Sequence, residues 1–240
     1  MSDLNFSEPW LPVLDQGFVR LIDSMPAEHG AGDRRIVQAA RVSYSSGTTQ
    51  KRSDEGLIRY LIKNQHTTPL EKVVFEFHVA LPMSVARQWQ RHRTQSYNEV
   101  STRYSEVDDG RIYVPDINRF RAQDNKNRQG SSAPLTMSTQ EACFLIMRTA
   151  SRVAYASYKD LLEHGLAREI ARGVLPIDTY TEFYTTVNLH NLMNFLTLRL
   201  DPGAQWEIQQ YARALLKLAR PIAPIAFGIW EKIREERQNG

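Results

Sequence analysis

The chain has 240 residues, 42% of them hydrophobic and 24% charged, and a net charge of only +3. That balance is ordinary for a globular protein and excludes a globally basic field, so any anion binding has to come from local clusters. A single cysteine, Cys143, rules out an internal disulfide framework and a multi-cysteine zinc site. With no apolar leader and no run of about 18 apolar residues, a cytoplasmic protein without a membrane span is expected. Residues 1–14, polar and carrying Pro9 and Pro12, are expected to be an extension lying on a domain that runs from 15 to 237. Phe18, Val19, Leu21 and Ile22 mark residues 17–25 as a first strand. Asp33 is placed to cap a helix reaching about Val42, with Ile36, Val37, Ala39 and Ala40 on its apolar side. Residues 43–50 are a hydroxyl-rich loop. Leu57, Ile58, Leu61 and Ile62 give residues 54–64 helical spacing, with Asp54 and Glu55 favourably placed in the first turn.

Residues 73–81 form the clearest strand: Val73, Phe75, Phe77 and Val79 share one face, Glu76 and His78 the other. Pro82 suits the opening of the next helix, whose apolar side is Met83, Val85, Ala86 and Trp89. That helix is expected to carry Arg91, His92 and Arg93 in its last turn and to release residues 94–104 as irregular backbone. Residues 108–134 read as loop, with only 112–114 strand-like. A long helix over 139–164 has a broad stripe of Cys143, Ile146, Met147, Ala150, Val153, Ala154 and Leu161, stopped by Gly165. A short helix over 167–174 and a strand over 178–187 follow. Asn188 caps a helix to about Leu200, with Leu192, Phe195 and Leu196 inward. Two further helices, 204–220 and 225–237, are punctuated by Pro221 and Pro224. Few strands among long helices, without a βαβ rhythm, indicate one α+β domain.

The chemistry concentrates in residues 88–104, QWQRHRTQSYNEVSTRY, where Arg91, His92, Arg93 and Arg103 stand beside Ser96, Ser101, Tyr104 and Glu99. Apolar residues there are too scattered for a core stripe, and guanidinium forks suit phosphate or carboxylate. No GxGxxG or P-loop pattern is present, so a nucleotide has to be gripped by side chains, with Arg91, Arg93, Arg103, Arg172 and Arg199 as candidates. Cys143 sits in an apolar stripe and reads as packing rather than as a nucleophile. No histidine pair has HExxH spacing and no metal cluster emerges; His66 and His92 flank the polar segments. An alternative reading is a basic nucleic-acid-binding module using the arginines with Tyr97 and Tyr104. The small net charge and Glu99 among the cations argue against it. An Arg-rich nucleotide hydrolase would require a metal cluster.

Arg91-His92-Arg93, seven residues and then Ser101 resembles the RHR-x7-S signature of the flavin-dependent thymidylate synthases. The likeness extends, in the family's order, to AARVSY at 39–44, HTTPLE at 66–71, REIARGVLP at 168–176, TVNLHNLMNFLTLR at 186–199 and the AQWEIQQYA that follows. The resemblance implies reductive methylation of dUMP to dTMP, with 5,10-methylenetetrahydrofolate giving the carbon and FAD, reduced by NADPH, giving the hydride. It implies a mostly antiparallel sheet packed with long helices, and a homotetramer with active sites at subunit interfaces. By position, Gln88, Trp89, Gln90 and Arg91 would meet dUMP. Glu99, Val100, Ser101, Thr102 and Arg103 would wrap its phosphate and sugar, and Arg172 would add a contact. Arg199 would stabilise the anionic uracil, which makes Arg199 and Ser101 the catalytic candidates. Flavin would rest on Thr68, Arg91, His92, Arg93, Asn188, His190 and Asn194, with Ser43, His66, Glu99 and Leu189 close by. Two positions depart from the family. Thr102 replaces the usual glycine, a change the backbone accepts at negative φ. Leu189-His190 replaces Ala-Arg, exchanging a permanent charge for an imidazole.

Overall fold

The computed structural model describes residues 7–42, 52–107, 110–126 and 128–239. Its centre is a five-stranded antiparallel sheet in the order β1–β2–β3–β7–β4, from Trp10–Val13, Gly17–Met25, Val74–Pro82, Tyr180–Asn188 and Ser96–Glu99 respectively. Alternation sends Val19, Leu21, Phe75, Phe77, Val79, Phe183 and Val187 to one face. That face is covered by α1 (Ala31–Arg41), α2 (Asp54–Lys63), α3 (Met83–Trp89), α6 (Leu189–Arg199), α7 (Trp206–Ala219) and α8 (Pro224–Asn239). The opposite face is polar. There His78 stacks on Tyr184 at 4.5 Å, and Glu182 takes His78 Nε2 at 3.1 Å and Arg111 at 2.9 Å. The hydrogen bond with His78 foremost, and the Arg111 guanidinium, hold the Glu182 carboxyl below its ordinary range. A small hairpin, β5 (Arg121–Gln123) with β6 (Ser131–Pro134), stands apart from the sheet.

β2, α2 and β3 fall within one residue of their expected bounds. Asn188 caps α6, its Oδ1 accepting from the Asn191 N–H at 2.9 Å. Gly17 is fixed by packing: a Cβ there would lie 2.1 Å from the Tyr211 hydroxyl, which donates to Ala80 O across the sheet. Several expectations need correcting. The 1–14 segment does not merely lie on the body, since Trp10–Val13 pairs with β2 as an edge strand and Val13 is buried. Asp33 is not a cap of its own helix, which begins after Gly30 at φ 72. Its carboxylate instead accepts from Ile225 N–H and Ala226 N–H, both at 2.9 Å, and so caps α8. Burial raises the Asp33 pKa, and those two bonds oppose the rise. Residues 112–114 contribute only a bridge from Ile112 to Thr179, and the expected loop contains the β5–β6 hairpin.

The long helix α4 (Met137–Glu163) is present, but its stripe does not form one buried face. Leu145, Ile146 and Val153 are 59%, 68% and 59% exposed. The covered side packs against Val107 and Phe120 through Tyr158, Phe144 and Gln140 rather than against the sheet. The hydroxyl-rich loop at 43–50 lies outside the described residues.

Candidate active site

The 88–103 segment is not delivered as expected. α3 ends at Trp89, so Arg91, His92 and Arg93 lie in a turn beyond the helix, and Ser96–Glu99 is strand β4 rather than irregular backbone. The turn is held by core anchors. Trp89 is 1% exposed, packs on Phe195 at 4.8 Å and Phe183 at 5.4 Å, and donates from Nε1 to Gln95 Oε1 at 3.1 Å. Thr185 donates to the same oxygen, and Tyr97 donates to His92 O at 2.8 Å. Trp89 is therefore a structural anchor, and its ring cannot reach a ligand. Leu189, fully buried, likewise offers no side chain.

Above those anchors the polar groups point outward. Arg91 and Arg93 are exposed, with no hydrogen-bond or ion-pair partner among the described residues. His92 is half-buried against Phe195. Arg199, at the end of α6, donates from Nε to His92 Nε2 at 3.0 Å and from Nη2 to Gln88 O at 3.0 Å. Desolvation, and then the Arg199 charge, lowers the His92 pKa to about 4. The ring is thus neutral near pH 7, with Nε2 accepting and the proton on Nδ1. Desolvation also lowers the Arg199 pKa from its ordinary value, and a guanidinium remains charged throughout the working range.

Glu99 is gripped from both sides, by Gln90 Nε2 at 2.9 Å and by Thr181 Oγ1 at 2.7 Å. Val100 N–H donates to Glu182 O. Ser101 heads a turn, its Oγ accepting from Arg103 N–H at 3.3 Å. Thr102 is at negative φ, because Leu14 and Gln65 are the only non-glycine residues with positive φ among those described. Its hydroxyl accepts from Arg172 at 3.1 Å, a hold on that arginine which a glycine could not provide. Arg103 pairs with Glu169 at 3.2 Å, an exposed contact of small energetic weight.

The remaining residues assigned to flavin line two adjoining cavities that share Leu61. His66 and Thr68 line a cavity of ≈ 950 Å³ with Arg35 and Lys72, whereas His190 and Asn194 line another of ≈ 540 Å³ with Arg234. Neither cavity includes Arg91, Arg93 or Ser101. His190 Nε2 is 3.1 Å from Asn194 Nδ2. Ser43 lies outside the described residues. Sequence reasoning missed Gln95, Thr181, Gln205 and Glu207, each of which orients a group in the site. Their partners are remote in sequence, up to 117 residues for Gln205, and no local pattern flags them. No helix among the described residues is long and apolar enough to cross a membrane.

Comparison with known proteins gives a consistent result. Residues 20–225 match the family model described as thymidylate synthase complementing protein. A flavin-dependent thymidylate synthase of Thermus thermophilus is 50% identical over 222 residues, covering 92% of this chain and 78% of that protein. One from Dictyostelium discoideum is 46% identical, covering 92% and 73%. Among solved structures, the UMP/dUMP methylase PolB from Streptomyces cacaoi, bound with 5-Br UMP, superposes with a TM-score of 0.80 at 34% identity, covering 92% of this chain and 97% of that one.

Proposed function

The chain belongs to the thymidylate synthase complementing protein family, that of the flavin-dependent thymidylate synthases, and from that premise we propose that it methylates dUMP reductively to dTMP. The carbon comes from 5,10-methylenetetrahydrofolate, and NADPH reduces an FAD cofactor. The observation that carries this reading is the 88–103 turn. Two guanidiniums with no partner among the described residues flank an imidazole held neutral by burial and by Arg199, on a scaffold anchored in the core. That donor set suits a flavin and a nucleotide together: charged forks for phosphates, and a flat uncharged ring for an isoalloxazine. The similarity to flavin-dependent thymidylate synthases supports the cofactor, and the similarity to a UMP/dUMP methylase supports the substrate.

Flavin would be held by Arg91, His92 and Arg93, by Asn188, His190 and Asn194, and by His66 and Thr68. When bound, it supplies the hydride that completes the methyl group, so no enzyme thiol need attack the pyrimidine; Cys143 sits on α4, outside the turn. Gln88, Arg91, Glu99, Ser101, Arg103 and Arg172 would position dUMP. Arg199 has two N–H groups committed to His92 and Gln88, which fixes its plane and leaves its other N–H groups for the uracil. A fixed cation there lowers the cost of N3 ionisation and makes C5 more nucleophilic. Ser101 offers its hydroxyl hydrogen beside the pyrimidine.

The complete site would lie between subunits of a homotetramer. The absence of Arg91 and Arg93 from the cavities that His66, Thr68, His190 and Asn194 line, and the exposed apolar side of α4, support that arrangement. The setting is cytoplasmic. The test is direct. The purified protein should carry or take up flavin, with its visible absorbance, and release tritium from C5-labelled dUMP when given the folate and NADPH. A colourless preparation that neither binds added FAD nor releases tritium sinks the proposal.

A further inference from the structure

The dUMP reading leaves unexplained a buried carboxylate next to the site. Glu207, in the first turn of α7, is 7% exposed. Both of its oxygens are occupied: Oε1 accepts from the Tyr113 hydroxyl at 3.2 Å and Oε2 from Gln205 Nε2 at 2.8 Å. Burial, then the charge and hydrogen bond of Glu207, raise the Tyr113 pKa, which keeps that phenol a donor. Gln205 occupies the N-cap position of α7, yet its side chain makes no capping bond. Instead its Oε1 accepts from Gln88 Nε2, across 117 residues of sequence.

An amide can face either way, because its oxygen and nitrogen ends have nearly the same shape. A carboxylate removes that freedom, since it only accepts. Glu207 forces the NH2 of Gln205 toward itself, so the oxygen of Gln205 faces Gln88. That oxygen in turn forces the NH2 of Gln88 toward Gln205 and leaves the Gln88 carbonyl oxygen turned away from α7. Arg199 holds the backbone of the same residue through Gln88 O at 3.0 Å. We infer that Glu207 and Gln205 are positioning residues that set the polarity of the Gln88 amide, so that it presents a fixed acceptor to the substrate. A uracil nucleotide offers such an acceptor a hydrogen-bond donor, the sugar hydroxyl. The inference rests on the assignment of Gln88 to dUMP.

The test uses flavin-loaded enzyme and three variants: Gln88→Ala, Gln205→Ala and the double variant. Gln205 is exposed, so its replacement spares the fold, whereas Glu207→Gln, being buried, serves only as a fourth arm. Gln205→Ala should raise the KM for dUMP about tenfold, the effect of roughly one hydrogen bond, with flavin affinity and folate KM unchanged. In the Gln88→Ala background the same change should add nothing, because the relay then has no end group. Glu207→Gln should raise the KM for dUMP in the same direction wherever it folds. If Gln205→Ala lowers only the melting temperature, or if its effect adds to that of Gln88→Ala, the pair merely starts helix α7 and the inference fails. If Gln88→Ala itself leaves the KM for dUMP unchanged, the substrate assignment of Gln88 is wrong and the inference falls with it.

Discussion

Two helical regions of this molecule carry apolar stripes in the sequence and have opposite fates in the fold. Around the sheet, α3, α6 and α7 bury theirs completely: Trp89, Phe195, Leu196, Ile208, Tyr211 and Leu215 are all at or below 1% exposed. On α4, Ile146, Ala150 and Val153 face outward, and only the opposite side rests on the 106–120 segment. Periodicity identifies the face of a helix that requires cover; it does not say whether the cover comes from the same chain. The core anchors in the sheet-bound helices are also what hold the 88–103 turn, so rigidity and chemistry share one origin. α4 carries none of the proposed chemistry and has an unfilled requirement for a partner surface.

The comparison is broken most severely at its closed end. Trp89→Ala removes a ring packed against Phe195, Phe183 and Tyr211. It should cost about 3–5 kcal/mol in urea unfolding, as large aromatic deletions in cores do. It should also loosen the turn bearing Arg91 and Arg93, so flavin affinity should fall together with stability. A variant with near-native stability would mean that the turn is not hung from the core as described.

Next in size is Asp33→Ala. The change orphans the two α8 N–H groups that the carboxylate accepts, and should cost roughly 1–2 kcal/mol, as the loss of a helix cap does. Asp33→Asn keeps one amide oxygen and should cost less. Equal losses for the two variants would mean that a neutral amide oxygen caps nothing there and that the carboxylate's charge carries the effect.

A smaller effect is read from pH. His92 is held at about 4, whereas the unfolded imidazole titrates near 6.5. Between those values the unfolded chain binds a proton that the folded chain refuses, so this residue makes the fold less stable as pH falls from about 6.5 toward 4. Asp33 has the opposite sign: its raised folded pKa favours the fold as pH falls toward the ordinary carboxylate value. Melting temperatures of the wild type and His92→Gln, measured from pH 7 to pH 4.5, separate the two, and the variant should show the shallower decline. Identical slopes would mean that His92 is not desolvated beside Arg199.

What the sequence disclosed follows the same division. β2, β3, α2 and the Asn188 cap were legible because alternation, helical spacing and capping are local. β4 was not. Its residues Ser96, Asn98 and Glu99 are exposed and only Tyr97 is half-buried, so its strand character comes from backbone pairing with β7 rather than from a buried face. β1 was obscured by Pro12, which an edge strand tolerates. In the site, the arginines and Ser101 were legible as residue types in a signature, while their supports were not. Thr181 holding Glu99, Arg199 locking His92, and Glu207 acting on Gln88 through Gln205 join positions 82 or more residues apart, except for the Gln205–Glu207 link itself. Trp89 shows the converse: adjacency to a binding motif made it a ligand candidate, whereas the size and apolarity of its ring placed that ring in the core.

The smallest expected change in folding stability tests the open end of the comparison. Ile146 is 68% exposed on α4, so Ile146→Asp removes little contact within the chain and should alter unfolding of an isolated subunit by no more than about 0.5 kcal/mol. In an assembly that covers this face, the same carboxylate would be buried without a partner, which is costly. Sedimentation should therefore show dissociation of the proposed tetramer. Turnover should fall with it, because the proposed site lies between subunits. Tyr158→Ala, on the covered side of the same helix, should act in the opposite manner, destabilising the subunit itself, since that ring is fully buried and its hydroxyl accepts from Val107 N–H. If Ile146→Asp instead left a fully active tetramer, the outward face of α4 would be ordinary solvent-exposed surface, and the cover that its apolar side requires would have to be sought elsewhere.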